Sequence, residues 1–322
     1  RSCRLNKFTI KAIPSLIVQA YYEMLDDKAF KMAAALSYYA AFSMGPLLII
    51  VIAIAGFIFG EEAARGQLFY ELKNMIGADG AQMLETIIKG AANTTTGIVA
   101  TVLSVIFLVL GSIGVFVELQ ESLNIVWGVE PRPGRGIKGF IKLRIVSFAM
   151  VVATGFLLMI SLVINSAIAL LNEFMAEMFP SLMPVAFILN NAASLIVITI
   201  LFALIYKVLP DVVISWRYVW LGAIITSVLF SIGKYLIGIY LGSSSYASTY
   251  GAAASLVIIF VWIYYSGLIL FFGAELTQVY RKRYSGKELI ASGDGVVVPK
   301  VSELVKTATD KQRRKLFGRA NH

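Results

Sequence analysis

The sequence contains only one cysteine and one histidine, Cys3 and His322, among its 322 residues. A single cysteine cannot form a disulfide bond within the chain. A zinc site usually needs three or four Cys, His or carboxylate ligands, so these counts argue against a zinc or haem centre. We therefore expect no metal, no cofactor and no histidine general base.

Charge is also scarce, since charged residues make up 15% of the chain and hydrophobic residues 58%, with a mean hydropathy of +0.80. A soluble domain carries roughly 25% charged and about 45–50% apolar residues. The excess of apolar side chains is more than one water-soluble core can bury. A lipid bilayer is the solvent that accommodates it.

Long apolar stretches are abundant, and a membrane-spanning helix needs about 20 such residues. Their continuous runs differ from the short alternating segments of a membrane β-barrel, so we predict helices. The expected fold is an all-α integral membrane protein, a bundle of about six transmembrane helices with additional amphipathic helices. The predicted spans are residues 32–59, 97–117, 145–171, 185–206, 218–241 and 252–274.

Lysine and arginine are distributed unequally between the two sides. Of the 28 basic residues, 24 fall in the termini and the even-numbered loops, and three fall in the other loops. The positive-inside rule then places both termini in the cytoplasm. The net charge of +9 is explained by this distribution of basic residues relative to the membrane, so we expect no nucleic-acid partner. No cleavable signal peptide is expected, because the first span starts late and is too long.

The chain divides into an N-terminal amphipathic segment (1–31), a transmembrane domain (32–280) and a basic cytoplasmic tail (281–322). The first segment either lies on the inner membrane surface or packs under the bundle. The loop at 60–96 has helical periodicity on both sides of 77–80, which predicts two short outer helices.

The tail invites two interpretations as well. Its net charge of +7 either binds anionic lipid headgroups, at about 1 kcal/mol per basic residue, or is ordinary positive-inside charge. Gly238 and Gly242 form a G-x-x-x-G pair in the fifth span, which permits close helix contact in a homo-oligomer.

Candidate substrate-path residues come from polar groups inside the spans. Lys234 lies about 24 Å from the inner end of its span and either lines a cavity, pairs, or extends its amine outward. Pro46 tends to kink the first span, where polar side chains either line a path or bond the freed carbonyl. The hydroxyl-bearing residues beside it are Ser37, Tyr38, Tyr39 and Ser43.

Four residues are candidates for an inner gate. Glu118, Glu121 and Asn124 follow the second span at three-residue spacing on one helical face, and Glu275 ends the sixth span. They either form salt bridges and caps at the interface or make a gate that responds to protons or cations.

Several blocks occur in an order that resembles the YihY/virulence factor BrkB family over about residues 26–284. The blocks include AAALSYYA at 33–40, ELQESLNIVWGV at 118–129, LPD at 209–211, WIY at 262–264 and GAEL at 273–276. The resemblance implies a bacterial inner-membrane protein. The matching motif positions are Ser37, Tyr38, Tyr39, Asn124, Lys234, Tyr250 and Glu275.

Members of this family once carried a ribonuclease label, and some are proposed to move lipids or lipid-linked precursors. Six predicted spans, a kinked polar first helix and the lysine at position 234 make our leading hypothesis a transporter or flippase-like protein for a lipid or other amphiphilic anion, with membrane lipids as partners. The alternative is a non-transporting scaffold or assembly factor. A ribonuclease is the least favoured hypothesis, because the chain has no usable histidine and no large cytoplasmic domain.

Overall fold

The computed structural model describes residues 13–92, 114–131, 183–243, 252–285, 289–292 and 295–298, with the single positions 145, 149 and 153. Helices dominate these residues, and two short strands form one antiparallel pair. The elements are α1 (Ile13–Asp26), α2 (Ala29–Phe59), α3 (Glu61–Ala92), α4 (114–127), β1 (Val129–Pro131), α5 (Met183–Val208), α6 (Trp216–Ser243), α7 (Ala252–Ser285) and β2 (Gly295–Val297).

Four helices are long and apolar enough to cross a membrane, at Ala29–Ala53, Asn191–Val208, Trp216–Leu236 and Leu256–Ser285. They coincide with the predicted first, fourth, fifth and sixth spans, and the all-α membrane class is confirmed. The predicted spans at 97–117 and 145–171 lie almost wholly outside the described residues. The total of six spans therefore stays a prediction.

One hydrophobic cluster joins the start of α2, the end of α5, the start of α6 and the later part of α7. These helices therefore alternate in direction. We call the end where α5 and α7 finish the basic end, because it carries Lys28, Lys31, Lys207, Arg217 and Arg281. A second cluster, near the opposite end, joins α2, α3 and α7 through Leu48, Ile52, Leu84, Ile88, Ile259 and Trp262.

The segment after α2 is one helix, and the prediction of two short helices was wrong. Gly60, with φ of 87°, turns the chain, and α3 then runs for 32 residues through Gly77 and Gly80. A glycine inside a helix costs only about 1 kcal/mol relative to alanine. Leu68 and Leu84, on the two sides of the expected break, pack in the same cluster, and this burial offsets that cost.

Helix α7 is the centre of the described bundle. Nearly every residue from 269 to 281 is buried, as expected for a helix with protein on all sides. At the crossing with α6, a Cβ atom on Gly222 would lie 2.7 Å from the carbonyl oxygen of Gly273. Such a distance is shorter than van der Waals contact, so the two backbones touch because neither residue has a side chain.

Buried hydroxyl groups surround this crossing and form hydrogen bonds within the bundle. Tyr206 donates to the carbonyl of Leu270 at 2.8 Å and shares a 2.8 Å bond with the hydroxyl of Thr226. Thr277 donates to the carbonyl of Gly273 at 2.8 Å. Each buried hydroxyl thus has a partner, as burial in an apolar bundle requires.

Helix α1 packs one of its faces against the end of α7, which is compatible with both interpretations left open above, so they stay predictions. Leu16 and Ala20 are buried against Leu276, Val279 and Tyr280 near the end of α7. The opposite side of α1 is apolar but exposed.

Part of the predicted C-terminal tail forms backbone hydrogen bonds with two loops at the basic end. Strand β2 pairs with β1 in the register Val129↔Val297, and the 2.8 Å bond from the Val298 amide to the Gly128 carbonyl extends this pairing. Upstream, the amide of Val213 donates to the carbonyl of Ile290 at 2.9 Å. Residues 289–292 and 295–298, which we call the strap, therefore connect the loop after α4 to the loop after α5.

Candidate functional site

The candidate site is built where α4 meets α7 at the basic end. Helix α4 ends at Trp127, and the next residue, Gly128, has a φ of 63°, a left-handed conformation that favours glycine after a helix. The last carbonyls of a helix lack partners inside it. Gln278 of α7, itself buried, donates its side-chain amide to one of them, the carbonyl of Val126.

Asn124 forms a reciprocal pair with Asp211 in the loop after α5. The amide nitrogen of Asn124 donates to Asp211 Oδ2 at 3.1 Å, and the backbone amide of Asp211 donates to Asn124 Oδ1 at 2.8 Å. Residues 87 positions apart are thereby fixed in one orientation. Asn124, predicted as a gate residue, holds the loop after α5 against α4.

The same loop has two further attachments. Lys207 donates its amine to the carbonyl of Ile214, closing the loop on itself. The amide of Ser292 in the strap donates to the carbonyl of Asp211 at 2.9 Å. Asp211 is therefore the residue at which α4, the loop and the strap meet.

Glu275, the gate candidate on α7, is 0% exposed. It lies one helical turn before Gln278, among residues packed by α1, α2 and α6. The side-chain oxygen of Gln120, on α4, is also buried and has no hydrogen-bond partner among the described residues. The basic end therefore contains an ionisable group and hydrogen-bonding capacity within a largely apolar interior.

The three gate candidates on α4 do not share one environment. Asn124 is buried, Glu118 is half-buried and Glu121 is exposed. Burial, and secondarily repulsion by the Glu121 carboxylate, raise the pKa of Glu118 above its usual value. The carboxyl of Glu118 therefore keeps its proton to a higher pH than an ordinary glutamate does.

The predicted path residues on α2 divide into two groups. Ser37 and Ser43 are buried, and Ser37 donates to the carbonyl of Ala34 at 2.8 Å. Tyr38 and Tyr39 are exposed, with Tyr38 packed edge-to-face on Tyr39 and tilted against the exposed Phe42, at ring distances of 5.7 and 4.8 Å. The two serines are therefore buried in the packing of α2, whereas the two tyrosines face outward.

The remaining path candidates lie elsewhere. Pro46 sits inside α2, which continues through it to Phe59. Lys234 is half-buried near the far end of α6, next to Gly233, which contacts Tyr265 of α7. Tyr250 lies outside the described residues. The structure thus distributes the described candidates over different depths and does not bring them into one pocket.

Two residues that matter at this site were not singled out from the sequence. Asp211 lies in the LPD block and Gln278 follows GAEL, but neither carries a local pattern that predicts its distant partner. In the part of the chain that the structure describes, no group of three or more His, Cys, Asp or Glu residues could hold a metal ion.

Comparison with known proteins agrees with the assignment to membrane proteins. Relatives include UPF0761 membrane proteins of Pseudomonas paraeruginosa, 27% identical over 84% of this chain, and of Azotobacter vinelandii, 28% identical over 80%. The chain spans 66% and 60% of the length of these two relatives. A shorter relative from Mannheimia succiniciproducens is 24% identical, over 90% of this chain and 96% of its own length.

No solved structure matches the chain. The family model for virulence factor BrkB matches residues 20–294, which include every described helix from α2 to α7 and the Asn124–Asp211 pair. This match covers most of the sequence. The chain therefore belongs to the virulence factor BrkB family.

Proposed function

We propose that the protein moves a lipid or another amphiphilic anion across the inner membrane of a bacterium, with both of its termini in the cytoplasm. The orientation is supported by the concentration of lysine and arginine at the basic end, which the positive-inside rule assigns to the cytoplasm. The transport activity is supported by the placement of ionisable groups within the spans.

The observation that carries the proposal is the position of Lys234. It lies inside the apolar span Trp216–Leu236, about 18 residues and hence about 27 Å from the start of α6. An ionisable side chain inside a membrane is costly and is by default a functional group. A half-buried amine at this depth would attract the headgroup of an anionic amphiphile.

Exposed aromatic side chains on α2 lie at a different depth in the membrane from Lys234. Tyr38 is about 9 residues, or about 14 Å, from the start of α2 and is exposed together with Tyr39 and Phe42. Aromatic rings with hydroxyl groups suit a molecule that is apolar at one end and polar at the other. Polar groups at two depths are what stepwise movement of a headgroup requires.

The proposal can be tested in sealed vesicles of phosphatidylcholine that contain a trace of fluorescent phosphatidylglycerol. Dithionite bleaches the label in the outer leaflet, and further bleaching reports movement between leaflets. We expect protein-containing vesicles to bleach further than protein-free vesicles. Lys234→Ala should slow this phase about tenfold, the effect of losing one charge-assisted contact.

Lys73→Ala is the matched control, because Lys73 is an exposed lysine on α3 and the substitution removes the same charge. Its rate should equal that of the unaltered protein. Equal bleaching with and without protein would overturn the proposal, as would equal slowing by the two substitutions.

The proposal also treats the chain as non-enzymatic. Purified protein incubated with RNA and Mg²⁺ should leave the RNA intact. Cleavage that is lost in Glu121→Gln would restore the ribonuclease hypothesis, because such a reaction would depend on a carboxylate of α4.

A further inference from the structure

Helix α1 has an apolar face that the rest of the described chain leaves exposed. Its buried face, through Leu16 and Ala20, packs on α7. The other face carries large side chains that are between 40% and 62% exposed, a pattern that marks a contact surface rather than a water-facing helix. These side chains are Ile17, Val18, Tyr21, Tyr22 and Leu25.

Aromatic residues indicate where this face lies relative to the bilayer. Trp216 and Trp220 begin α6, are both exposed, and lie with their rings 6.2 Å apart. Tryptophan and tyrosine concentrate at membrane–water boundaries, where one side of the ring is apolar and the other is wet. Tyr218 and Leu221 of α6 pack against the cluster that α1 forms with the end of α7, so the exposed face of α1 lies near that boundary.

Two exposed arginines flank the same junction. The guanidinium of Arg217 lies 5.6 Å from the ring centroid of Tyr218, which packs edge-on against Tyr280 at 5.7 Å. On the other side, Arg283 of α7 donates to the hydroxyl of Ser15 on α1 at 2.8 Å. Residues 280 and 283 are one helical turn apart, so both arginines belong to the α1–α6–α7 junction.

The local charge at this junction is positive. The described acidic residues of α1 are Glu23, Asp26 and Asp27, and the first of them is about 8 residues, or about 12 Å, along the helix from Ser15. An arginine has five N–H donors in a planar fork that matches phosphate oxygens. The bond to Ser15 uses one donor of Arg283.

We propose that Arg217 and Arg283 bind the phosphate of an anionic membrane phospholipid, whose acyl chains lie against the exposed face of α1. Charge complementarity selects the headgroup, and the apolar stripe of α1 selects a lipid over a free phosphate. The site is separate from Lys234 and does not depend on transport, so it can exist whether or not the protein moves lipids.

The test measures the melting temperature of the purified full chain in detergent as phospholipid is added. Phosphatidylglycerol should raise it in a saturable manner, and phosphatidylcholine and inorganic phosphate should raise it little. Arg217→Gln with Arg283→Gln should weaken the phosphatidylglycerol response about tenfold or more, because two charge-assisted contacts are lost. Each single substitution should give a smaller loss, which preserves the test if the double variant is poorly folded.

The control is Lys31→Gln with Lys73→Gln, which removes two exposed positive charges, one at the start of α2 and one on α3. It should keep the full response. An equal loss in this control would overturn the site, as would equal responses to the two lipids. A response to inorganic phosphate equal to that of the lipid would show that a free anion is bound instead.

The role of α1 is tested with Val18→Ser and Tyr22→Ser, both on the exposed face. They should weaken the phosphatidylglycerol response while the arginines remain in place. An unchanged response would overturn the lipid contact and leave the face of α1 as a surface for a protein.

Discussion

At the scale of single residues, the reciprocal pair between Asn124 and Asp211 has the clearest energetic consequence. Both hydrogen bonds join parts of the chain that are far apart in sequence, and one of them ends on a carboxylate. The interaction therefore fixes how the loop after α5 sits on α4.

Asn124→Ala should lower the free energy of unfolding by about 2–4 kcal/mol, because it removes one bond to a charged acceptor and one to a backbone amide. Thermal unfolding in detergent measures the loss. Asp211→Asn should cost less, since its side chain still offers an acceptor oxygen. Glu121→Ala, at an exposed position of the same helix, is the control, and an equal loss there would contradict the assignment.

Glu118 predicts a pH dependence of stability. Its pKa is raised in the folded protein, so the unfolded chain releases this proton at a lower pH than the folded chain does. The free energy of unfolding therefore falls as pH rises from the ordinary glutamate pKa through the raised one. Glu118→Gln should remove this contribution, so its melting temperature relative to the unaltered protein should be more favourable at pH 7 than at pH 4.

Glu130→Gln is the control for this titration, because Glu130 is exposed in β1 and its substitution removes one carboxylate outside α4. The pH dependence attributed to Glu118 should persist in Glu130→Gln. If it also persists in Glu118→Gln, the pKa of Glu118 does not contribute to stability.

At the scale of elements, the crossing of α6 and α7 leaves no room for side chains. In Gly222→Ala the new Cβ would lie 1.8 Å from the hydroxyl oxygen of Thr277, and the Gly273 carbonyl would also obstruct it. Overpacking of this kind typically costs about 1–3 kcal/mol or more. We expect a marked fall in melting temperature, only partly restored by Thr277→Ala.

Gly66→Ala makes the same substitution at a position where the new Cβ would have no atom within 4 Å beyond the backbone of its own helix. Alanine is favoured over glycine inside a helix by about 1 kcal/mol, so this variant should be slightly more stable. Equal destabilisation by both substitutions would show that glycine matters for a reason other than close packing.

The membrane-spanning helices could be predicted from the sequence, because each contains a long apolar run. Features that depend on contacts between distant residues were predicted less well. The four described spans follow from length and composition alone. The continuity of α3 was missed, because local breaker signals at Gly77 and Gly80 are outweighed by packing that the sequence does not display. The Gly222–Gly273 contact joins positions 51 residues apart, so no window of sequence contains it.

At the scale of the whole molecule, the strap connects loops that follow different helices. A chain ending at Ser285 lacks the bonds from Ser292 to Asp211 and from Val298 to Gly128, whereas a chain ending at Val298 keeps them. We expect the shorter chain to melt at a lower temperature. Hydrogen exchange should show a faster Val213 amide in the shorter chain and an unchanged one in the longer chain.

Equal melting temperatures and equal exchange in the two chains would show that the strap contributes nothing to the basic end. This pairing could not be predicted, because three valines in a polar tail form too short a pattern to indicate a strand. Among the site residues, the full burial of Glu275 was not predicted, because it follows the apolar run at 252–274 and was expected at the membrane interface. The role of Gln278 could not be predicted, because it depends on a hydrogen bond to the Val126 carbonyl of α4.

The strap also has a consequence for biosynthesis. Its residues are translated after every helix described here, yet their partners at 128–131 and 211–213 leave the ribosome much earlier. Chains generally fold from the N-terminus as they are made. The backbone groups of these two loops must therefore wait for their partners in the strap until translation has passed residue 298.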